Sequence, residues 1–313
     1  MLPPTLVLAF VAAGIVPAAA VLATARWPYR APATAIVLWQ AMGLGWGLAA
    51  VGTLAGLAVD RAGSGVAGGA LSVGASALRG TNLSLQPQGF VLALRLICLG
   101  AAAALFLLLN WVLVAASTAM VRTRRRHRAL LGLLAHGDPK VPGALVVDYP
   151  AAAAYCVPGL RSKIVISAGA LDLLDQAELA AVLAHERAHL RERHDLVLLP
   201  FSALRRAFPW SRSTRQAHAA VGLLVEMLAD DHALRHRPAC ELISALRRFG
   251  AAGTSGAPIG ALAVADPSAA EVTARVERLL ASDPGLCLPV QLLVCVAAAL
   301  LVAVPAALLL LPL

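Results

Sequence analysis

The sequence predicts an integral membrane protein, mainly α-helical, in which four transmembrane helices carry an α+β domain inserted between the third and fourth spans. The 313 residues are 59% hydrophobic and only 14% charged, whereas soluble domains average about 45–50% apolar and about 25% charged residues. Four apolar stretches approach or exceed the roughly 20 residues that a helix needs to cross a bilayer: 3–25, 33–59, 90–121 and 285–313. Residues 1–121 thus hold three spans, residues 122–283 the inserted domain and residues 284–313 the fourth span.

The placement of positive charge predicts how these spans are oriented. The chain carries a net charge of +9, and cytoplasmic loops of membrane proteins are enriched in Lys and Arg. Arg26 and Arg30 follow the first span, and an arginine-rich run at 122–128 follows the third. We therefore expect a multi-pass plasma-membrane protein with residues 122–283 in the cytoplasm, and with both termini and the loop 60–89 outside.

The basic excess does not indicate direct binding to nucleic acid. Residues 121–283 contain 21 Lys and Arg against 16 Asp and Glu, and the run at 122–128 supplies five of the positive charges. Without that run the segment is neutral. We therefore interpret the excess positive charge as the arginine cluster that flanks a transmembrane helix on its cytoplasmic side. The five cysteines form no C-x-x-C pair, and we interpret them as small apolar residues rather than as a zinc knuckle.

The inserted segment shows the pattern of an α+β domain. Pro and Gly separate short β-rich segments that predict a small sheet, namely 144–148, 154–157 and 163–167. Asp175 and Glu178 are spaced as in a capping box, so we expect a helix from there to about His194. Further helices are expected near 214–236, 238–248 and 267–281.

The residues that carry chemistry lie on the first of these helices. His185, Glu186 and His189 form an H-E-x-x-H pattern. Residues four apart on a helix lie on one face, so the two imidazoles can bind one zinc ion, and Glu186 can act beside it as a general base. The spacing predicts a zinc-dependent hydrolase; the alternative is a surface helix with fortuitous charge spacing.

A catalytic zinc ion needs a third protein ligand and an open coordination position. Glu226 and Asp230 are the best candidates, because they lie four apart on the next expected helix and follow an apolar segment. One carboxylate can bind the metal while the other orients a ligand imidazole. The full set of candidates comprises His194, His218, Glu226, Asp230, His232 and His236.

These motifs resemble those of gluzincin membrane proteases, which include the HtpX, CAAX and BlaR/MecR types. The order of three spans, a zinc domain and a fourth span looks most like the BlaR/MecR type. The likeness to that type is greatest in four segments: 154–159, 164–167, 178–190 and 275–280. The resemblance implies a gluzincin-like zinc metallopeptidase domain with Zn²⁺ as its cofactor.

The resemblance also implies a role for each matching residue. His185 and His189 match the two histidine ligands, Glu186 the catalytic base, Glu226 the third ligand, and Asp230 the carboxylate that supports a ligand from behind. Many relatives carry an Asp five residues after the second histidine, where this chain has His194 followed by Asp195. This departure concerns the support of the metal-binding helix rather than the metal ligands.

The sensor of the β-lactam-sensing relatives is not expected in this chain. Their outer penicillin-binding domain has an S-x-x-K nucleophile, but neither Lys140 nor Lys163 has a serine three residues earlier. We therefore expect a membrane-embedded zinc endopeptidase that acts in regulated proteolysis. It would cleave a cytoplasmic or membrane-proximal protein, such as a transcriptional repressor, on a signal from a separate sensor protein. An HtpX-like quality-control protease and a non-catalytic membrane receptor or scaffold with a relict zinc site are the alternatives.

Two further features of the reaction are expected. The strand near 163–167 could hold an extended substrate by strand addition at its edge. A donor that stabilises the oxyanion is also expected, and the candidates are His218, His232 and nearby arginines.

Overall fold

The computed structural model describes residues 3–59, 87–139, 141–159, 162–252, 269–281 and 285–310. Residues 60–86 of the expected outer loop and residues 253–268 lie outside this described part. The chain divides into two compact units. The first comprises residues 1–25, 34–113 and 287–313, and the second comprises residues 26–33 and 114–286.

The described residues are mostly helical and contain one small sheet. In chain order the elements are α1 (Pro4–Thr24), a short 3-10 helix (Trp27–Arg30), α2 (Pro32–Ala58), α3 (Pro87–Leu134), β1 (Ala135–Gly137), β2 (Ala144–Val147), β3 (Ala154–Val157), β4 (Lys163–Ser167), α4 (Ala168–Leu173), α5 (Gln176–Arg191), α6 (His194–Ala207), α7 (Arg212–Leu234), α8 (Ala239–Ala251), α9 (Ala269–Ala281) and α10 (Leu288–Leu310).

Four of the described helices are long and apolar enough to cross a membrane: α1, α2, α3 from Phe90 onward, and α10. The third apolar stretch of the sequence ends near residue 121, but α3 continues through the arginine-rich run to Leu134. Its 48 residues correspond to about 72 Å at a rise of about 1.5 Å per residue. The hydrocarbon core of a bilayer is only about 30 Å thick, so α3 is much longer than a span requires.

Two glycines of α2 allow close packing within the first unit. A Cβ atom added at Gly45 would lie 2.5 Å from the carbonyl oxygen of Leu301 in α10. A Cβ added at Gly52 would lie 2.9 Å from side-chain carbons of Leu8 and Leu309. Small residues at such positions let transmembrane helices approach each other, so the backbones of α2 and α10 approach closely at Gly45.

The sheet of the second unit has the strand order β1-β2-β4-β3. β2 and β4 are parallel, whereas β1 pairs with β2 and β3 pairs with β4 in antiparallel fashion. β4 (Lys163–Ser167) is therefore hydrogen-bonded on both sides. The expectation that the 163–167 strand offers an edge to a substrate is wrong, because β3 occupies that edge. Among the described strands, β1 and β3 form the two edges.

Each face of the sheet packs against a helix, since side chains alternate between the faces of a strand. On one face, Cys156 and Ile166 share a hydrophobic cluster with Val182 of α5. On the other face, Val157 packs with Leu131 near the end of α3. The sheet thus supports the helix that carries the H-E-x-x-H pattern.

The start of α5 agrees with the sequence, but its end does not. The Asp175 carboxylate accepts hydrogen bonds from the backbone of Ala177 and Glu178, and the Glu178 carboxylate accepts one from the backbone of Asp175, which confirms the predicted capping box. The helix ends at Arg191 because Arg193 adopts a left-handed conformation with φ of 51°, which interrupts a right-handed helix. A separate helix, α6, which the sequence analysis did not anticipate, begins at His194.

Candidate metal centre

Two imidazoles of α5 converge on one point. His185 and His189 lie one helical turn apart, and both side chains are buried. Their Nε2 atoms are 3.0 Å apart, and their rings meet edge to face. The i, i+4 spacing of the sequence therefore produces the single face that the motif predicts.

A carboxylate from α7 completes this cluster. One oxygen of Glu226 lies 3.3 Å from Nε2 of His185, and the other lies 3.4 Å from Nε2 of His189. All three residues offer ligand atoms within 4.8 Å of one another. Zinc binds His nitrogen at about 2.0–2.1 Å and carboxylate oxygen at about 2.0–2.2 Å, so tetrahedral ligand atoms lie roughly 3.4 Å apart. The observed separations of 3.0–3.4 Å fit such an ion.

Asp230 lies behind the cluster rather than in it. Its carboxylate is 2.9 Å from Nδ1 of His185, the nitrogen that faces away from Glu226. Since an ionised carboxylate only accepts hydrogen bonds, it favours the tautomer of His185 with a proton on Nδ1 and a lone pair on Nε2. Burial alone would raise the pKa of Asp230, but Arg275 and His185 outweigh it and lower this pKa to about 2.

His194 supports the second imidazole. Its Nδ1 atom lies 2.9 Å from Nδ1 of His189, and its side chain is only 1% exposed. Burial and the neighbouring His189 lower the pKa of His194 to about 3, so the ring is neutral near pH 7 and can accept a hydrogen bond. If His189 donates from Nδ1, its Nε2 lone pair faces Glu226, as it does in His185. His194 is therefore not a third ligand but a partner of one.

The electrostatics of the cluster favour a cation. Burial by itself lowers the pKa of His185, but its hydrogen bonds to Asp230 and Glu226 outweigh burial and raise this pKa to about 9. Burial also favours the neutral form of Glu226, yet His189, the close contacts with Nε2 of both histidines, and Arg275 hold its pKa well below its ordinary value. The surroundings thus keep Glu226 ionised and favour a positive charge beside it, which a bound metal ion would supply in place of a proton.

Glu186 is not part of the ligand cluster, although it follows His185 directly. Its side chain is half-buried and hydrogen-bonds the thiol of Cys156, which lies on β3. Burial raises the pKa of Glu186 above its ordinary value of 4.5. A carboxylate with a raised pKa can both take up and release a proton near neutral pH, which suits a general base.

Arg275 is a residue of this centre to which the sequence analysis assigned no role. From α9 it donates to both oxygens of Asp230, with Nε at 2.8 Å and Nη2 at 2.6 Å, and Nη1 donates to Glu226 at 3.0 Å. It is 5% exposed. Burial opposes the charge of Arg275, but Asp230 and Glu226 outweigh it and raise the pKa of the guanidinium. The only sequence signal was its place in the 275–280 segment that resembles the BlaR/MecR type.

None of the remaining candidates belongs to the ligand cluster. His218 is 3.2 Å from the hydroxyl of Ser202, His232 is 3.5 Å from the carboxylate of Glu192, and His236 is exposed. The structure thus brings together four of the predicted residues, His185, His189, Glu226 and Asp230, with Glu186 alongside. Among the described residues, only His185, His189 and Glu226 form a group of three or more such side chains that could hold a metal ion.

A metallopeptidase-type zinc site has this arrangement: two imidazoles on one helix and a carboxylate from a second helix are the donors, and a glutamate that is not a ligand follows the first histidine. Residues 120–230 match the model of peptidase family M48. The matched region runs from the arginine-rich part of α3 through the sheet to Asp230, and it supports a metallopeptidase in that part of the chain. Arg275 lies beyond it. No curated protein and no solved structure matches the chain significantly.

Proposed function

We propose that this chain is a membrane-embedded zinc endopeptidase of the gluzincin type. The observation that carries the proposal is that His185, His189 and Glu226 each place a ligand atom within 4.8 Å of the other two. Glu186 follows His185 directly in the sequence. The family match over residues 120–230 supports the same chemistry.

His185, His189 and Glu226 would hold the zinc ion. Zinc in such a site supplies a Lewis acid for a carbonyl oxygen and lowers the pKa of a water molecule. The protein supplies the proton transfers: the Glu186 carboxylate takes a proton from the attacking water and returns it to the nitrogen of the leaving amine. Asp230 and His194 orient the two ligand imidazoles, and Arg275 neutralises part of the buried negative charge.

The free edge of β3 is the best candidate for holding a substrate. β3 packs against α5 and carries Cys156, whose thiol contacts Glu186. An extended peptide that pairs with this edge would use backbone hydrogen bonds, which depend little on its sequence, and would run past the catalytic carboxylate. This edge takes the role that the sequence analysis gave to residues 163–167.

We further propose that the peptidase acts in regulated proteolysis at the cytoplasmic face of the plasma membrane. The arginine-rich run at 122–128 supports this orientation, and the resemblance to the BlaR/MecR type supports a regulator, such as a transcriptional repressor, as substrate. A separate protein would then supply the signal. An HtpX-like role in membrane quality control is the alternative, and it predicts many damaged membrane proteins as substrates rather than one regulator.

The direct test compares Glu186→Gln with Glu277→Gln in the full chain reconstituted in lipid. Glu277 is an exposed residue of α9, so its substitution makes the same chemical change away from the site. We expect both variants to bind zinc like the native protein. Only Glu186→Gln should lose cleavage of a peptide library, by roughly 10²–10⁴-fold, the usual contribution of a general base.

Two results would contradict the proposal. Native cleavage by Glu186→Gln would refute its role as base. Stoichiometric zinc in a native protein that cleaves no peptide would favour the receptor or scaffold with a relict site. Substrates that stay bound to Glu186→Gln in cells can be fixed with a chemical cross-linker and identified. This separates the two proteolytic roles, because one captured regulator supports signalling and many misfolded membrane proteins support quality control.

A further inference from the structure

The turn between α6 and α7 presents a tryptophan to the surroundings. Trp210 is 75% exposed, and its ring meets the half-buried ring of Phe208 edge to face at 5.9 Å between centroids. A large aromatic side chain in that position leaves much apolar surface in contact with water. Tryptophan is enriched where one end of the ring is apolar and the other is wet, as at the headgroup level of a bilayer.

Four arginines surround this tryptophan in the sequence, within a stretch that contains no acidic residue. Arg205, Arg206, Arg212 and Arg215 are all exposed. The chain contains no Asp or Glu from residue 196 to residue 225. This surface, which we call the Trp210 turn (residues 205–215), is therefore strongly positive, in contrast to the near-neutral balance of the inserted domain apart from its arginine-rich run.

Local hydrogen bonds hold the turn in one conformation. The Ser211 hydroxyl accepts from the backbone N–H of Thr214, and the Thr214 hydroxyl donates to the carbonyl oxygen of Phe208 at 3.1 Å. Arg215 donates to the carbonyl oxygen of Pro209 at 2.8 Å. The exposed ring of Trp210 is thus carried by an ordered turn, so little backbone entropy is lost when it binds.

We propose that the Trp210 turn binds the anionic headgroup region of a lipid bilayer, with the indole ring inserted at the level of the headgroups and the arginines paired with lipid phosphates. Guanidinium groups bind phosphate through several donors, and basic residues near an anionic leaflet add to membrane affinity. A bilayer with anionic lipids is the nearest such surface for a chain with four helices that are long and apolar enough to cross a membrane. The inference does not depend on peptidase activity.

The test uses the full chain in lipid nanodiscs with Trp210 as the sole fluorophore. The other four tryptophans, Trp27, Trp39, Trp46 and Trp111, are replaced by Phe, and zinc content is measured to verify the fold. Discs contain phosphatidylcholine alone or a mixture with phosphatidylglycerol, each with bromine atoms placed either near the headgroup or deep in the acyl chains. A variant that retains only Trp111, in the apolar stretch of α3, serves as a control that reports deep quenching.

We expect Trp210 to lose emission in the anionic discs, more with shallow than with deep bromines, and much less in neutral discs or at high salt. Replacing Arg205, Arg206 and Arg212 by Gln in the single-tryptophan protein should abolish this loss while zinc is retained. Absence of quenching in anionic discs would overturn the proposal, as would equal quenching in neutral discs. Protection of Trp210 from aqueous acrylamide by polyglutamate, without lipid quenching, would also overturn it and indicate an acidic protein partner.

Discussion

Replacement of His194 by alanine tests how the proposed zinc centre is supported. In the native structure Nδ1 of His194 lies 2.9 Å from Nδ1 of His189, inside a site where both rings are buried. His194→Ala removes the Nδ1 acceptor, so Nδ1 of His189 loses its hydrogen-bond partner. The ring of His189 then loses both its fixed tautomer and its orientation toward Glu226.

Two separate estimates give the same size of effect. Removing the outer partner of a metal-binding histidine lowers metal affinity by about 10–100-fold, which corresponds to about 1.4–2.7 kcal/mol at about 1.36 kcal/mol per tenfold. Leaving a buried donor without a partner costs about 1–3 kcal/mol. We therefore expect the zinc dissociation constant to rise by about 10–100-fold, with the lower end applying if water fills the space left by the ring.

The assay is zinc competition with a chelator, using the full chain in lipid well below its unfolding temperature. His194→Asp places another hydrogen-bond acceptor at the same position, and it should recover most of the affinity that His194→Ala loses. His218→Ala is the matched control, because that histidine contacts Ser202 and lies apart from the ligand cluster. Unchanged affinity in His194→Ala, or an equal loss in His218→Ala, would refute the proposed support of His189.

Three further outcomes are expected. Arg275→Met leaves the buried carboxylate of Asp230 and the partly exposed one of Glu226 without their cation. It should lower the free energy of unfolding by about 3–5 kcal/mol, and Arg275→Lys should lower it less. Thermal unfolding in lipid measures both changes, and a Met variant as stable as the native protein would contradict the ion-pair argument. Gly169→Ala should lower the free energy of unfolding by about 1–3 kcal/mol, because the added Cβ would overlap the backbone carbonyl of Pro150. Gly137→Ala should lower it much less in the same thermal unfolding assay, because a Cβ there meets nothing within 4 Å. Burial raises the pKa of Glu186 above 4.5. Activity needs the deprotonated base, so kcat/KM should fall as the pH is lowered, and the midpoint of this fall should lie above pH 4.5. A midpoint at or below pH 4.5 would contradict the buried base.

Local patterns in the sequence determined the central part of the site. The spacing of His185 and His189 places both imidazoles on one face of any α-helix, whatever surrounds it. The capping box at Asp175 is equally local, since its hydrogen bonds join residues at most three apart. The apolar stretches likewise predicted helices long enough to cross a membrane, because that property depends on length and composition alone.

The division of labour between Glu226 and Asp230 required the tertiary structure. Both carboxylates lie on one face of α7, so the helical period cannot say which one reaches the Nε2 atoms of the histidines. The packing of α7 on α5 decides this: Glu226 faces the inner nitrogens, and Asp230 faces the outer nitrogen of His185. The roles that the resemblance implies for Glu226 and Asp230 are compatible with these positions and stay predictions.

Three other features depended on long-range contacts or on single backbone angles. The left-handed conformation of Arg193 turns the chain so that His194 returns to His189, whereas helical periodicity alone would have continued α5 through it. The strand order places β4 in the interior of the sheet and leaves the free edge to β3. The alternation of residues within one strand tells which face is buried but not which strands are neighbours. Arg275 reaches Asp230 across 45 positions of the chain. Local sequence propensity cannot predict this contact, because the contact forms only when the tertiary fold brings α9 next to α7.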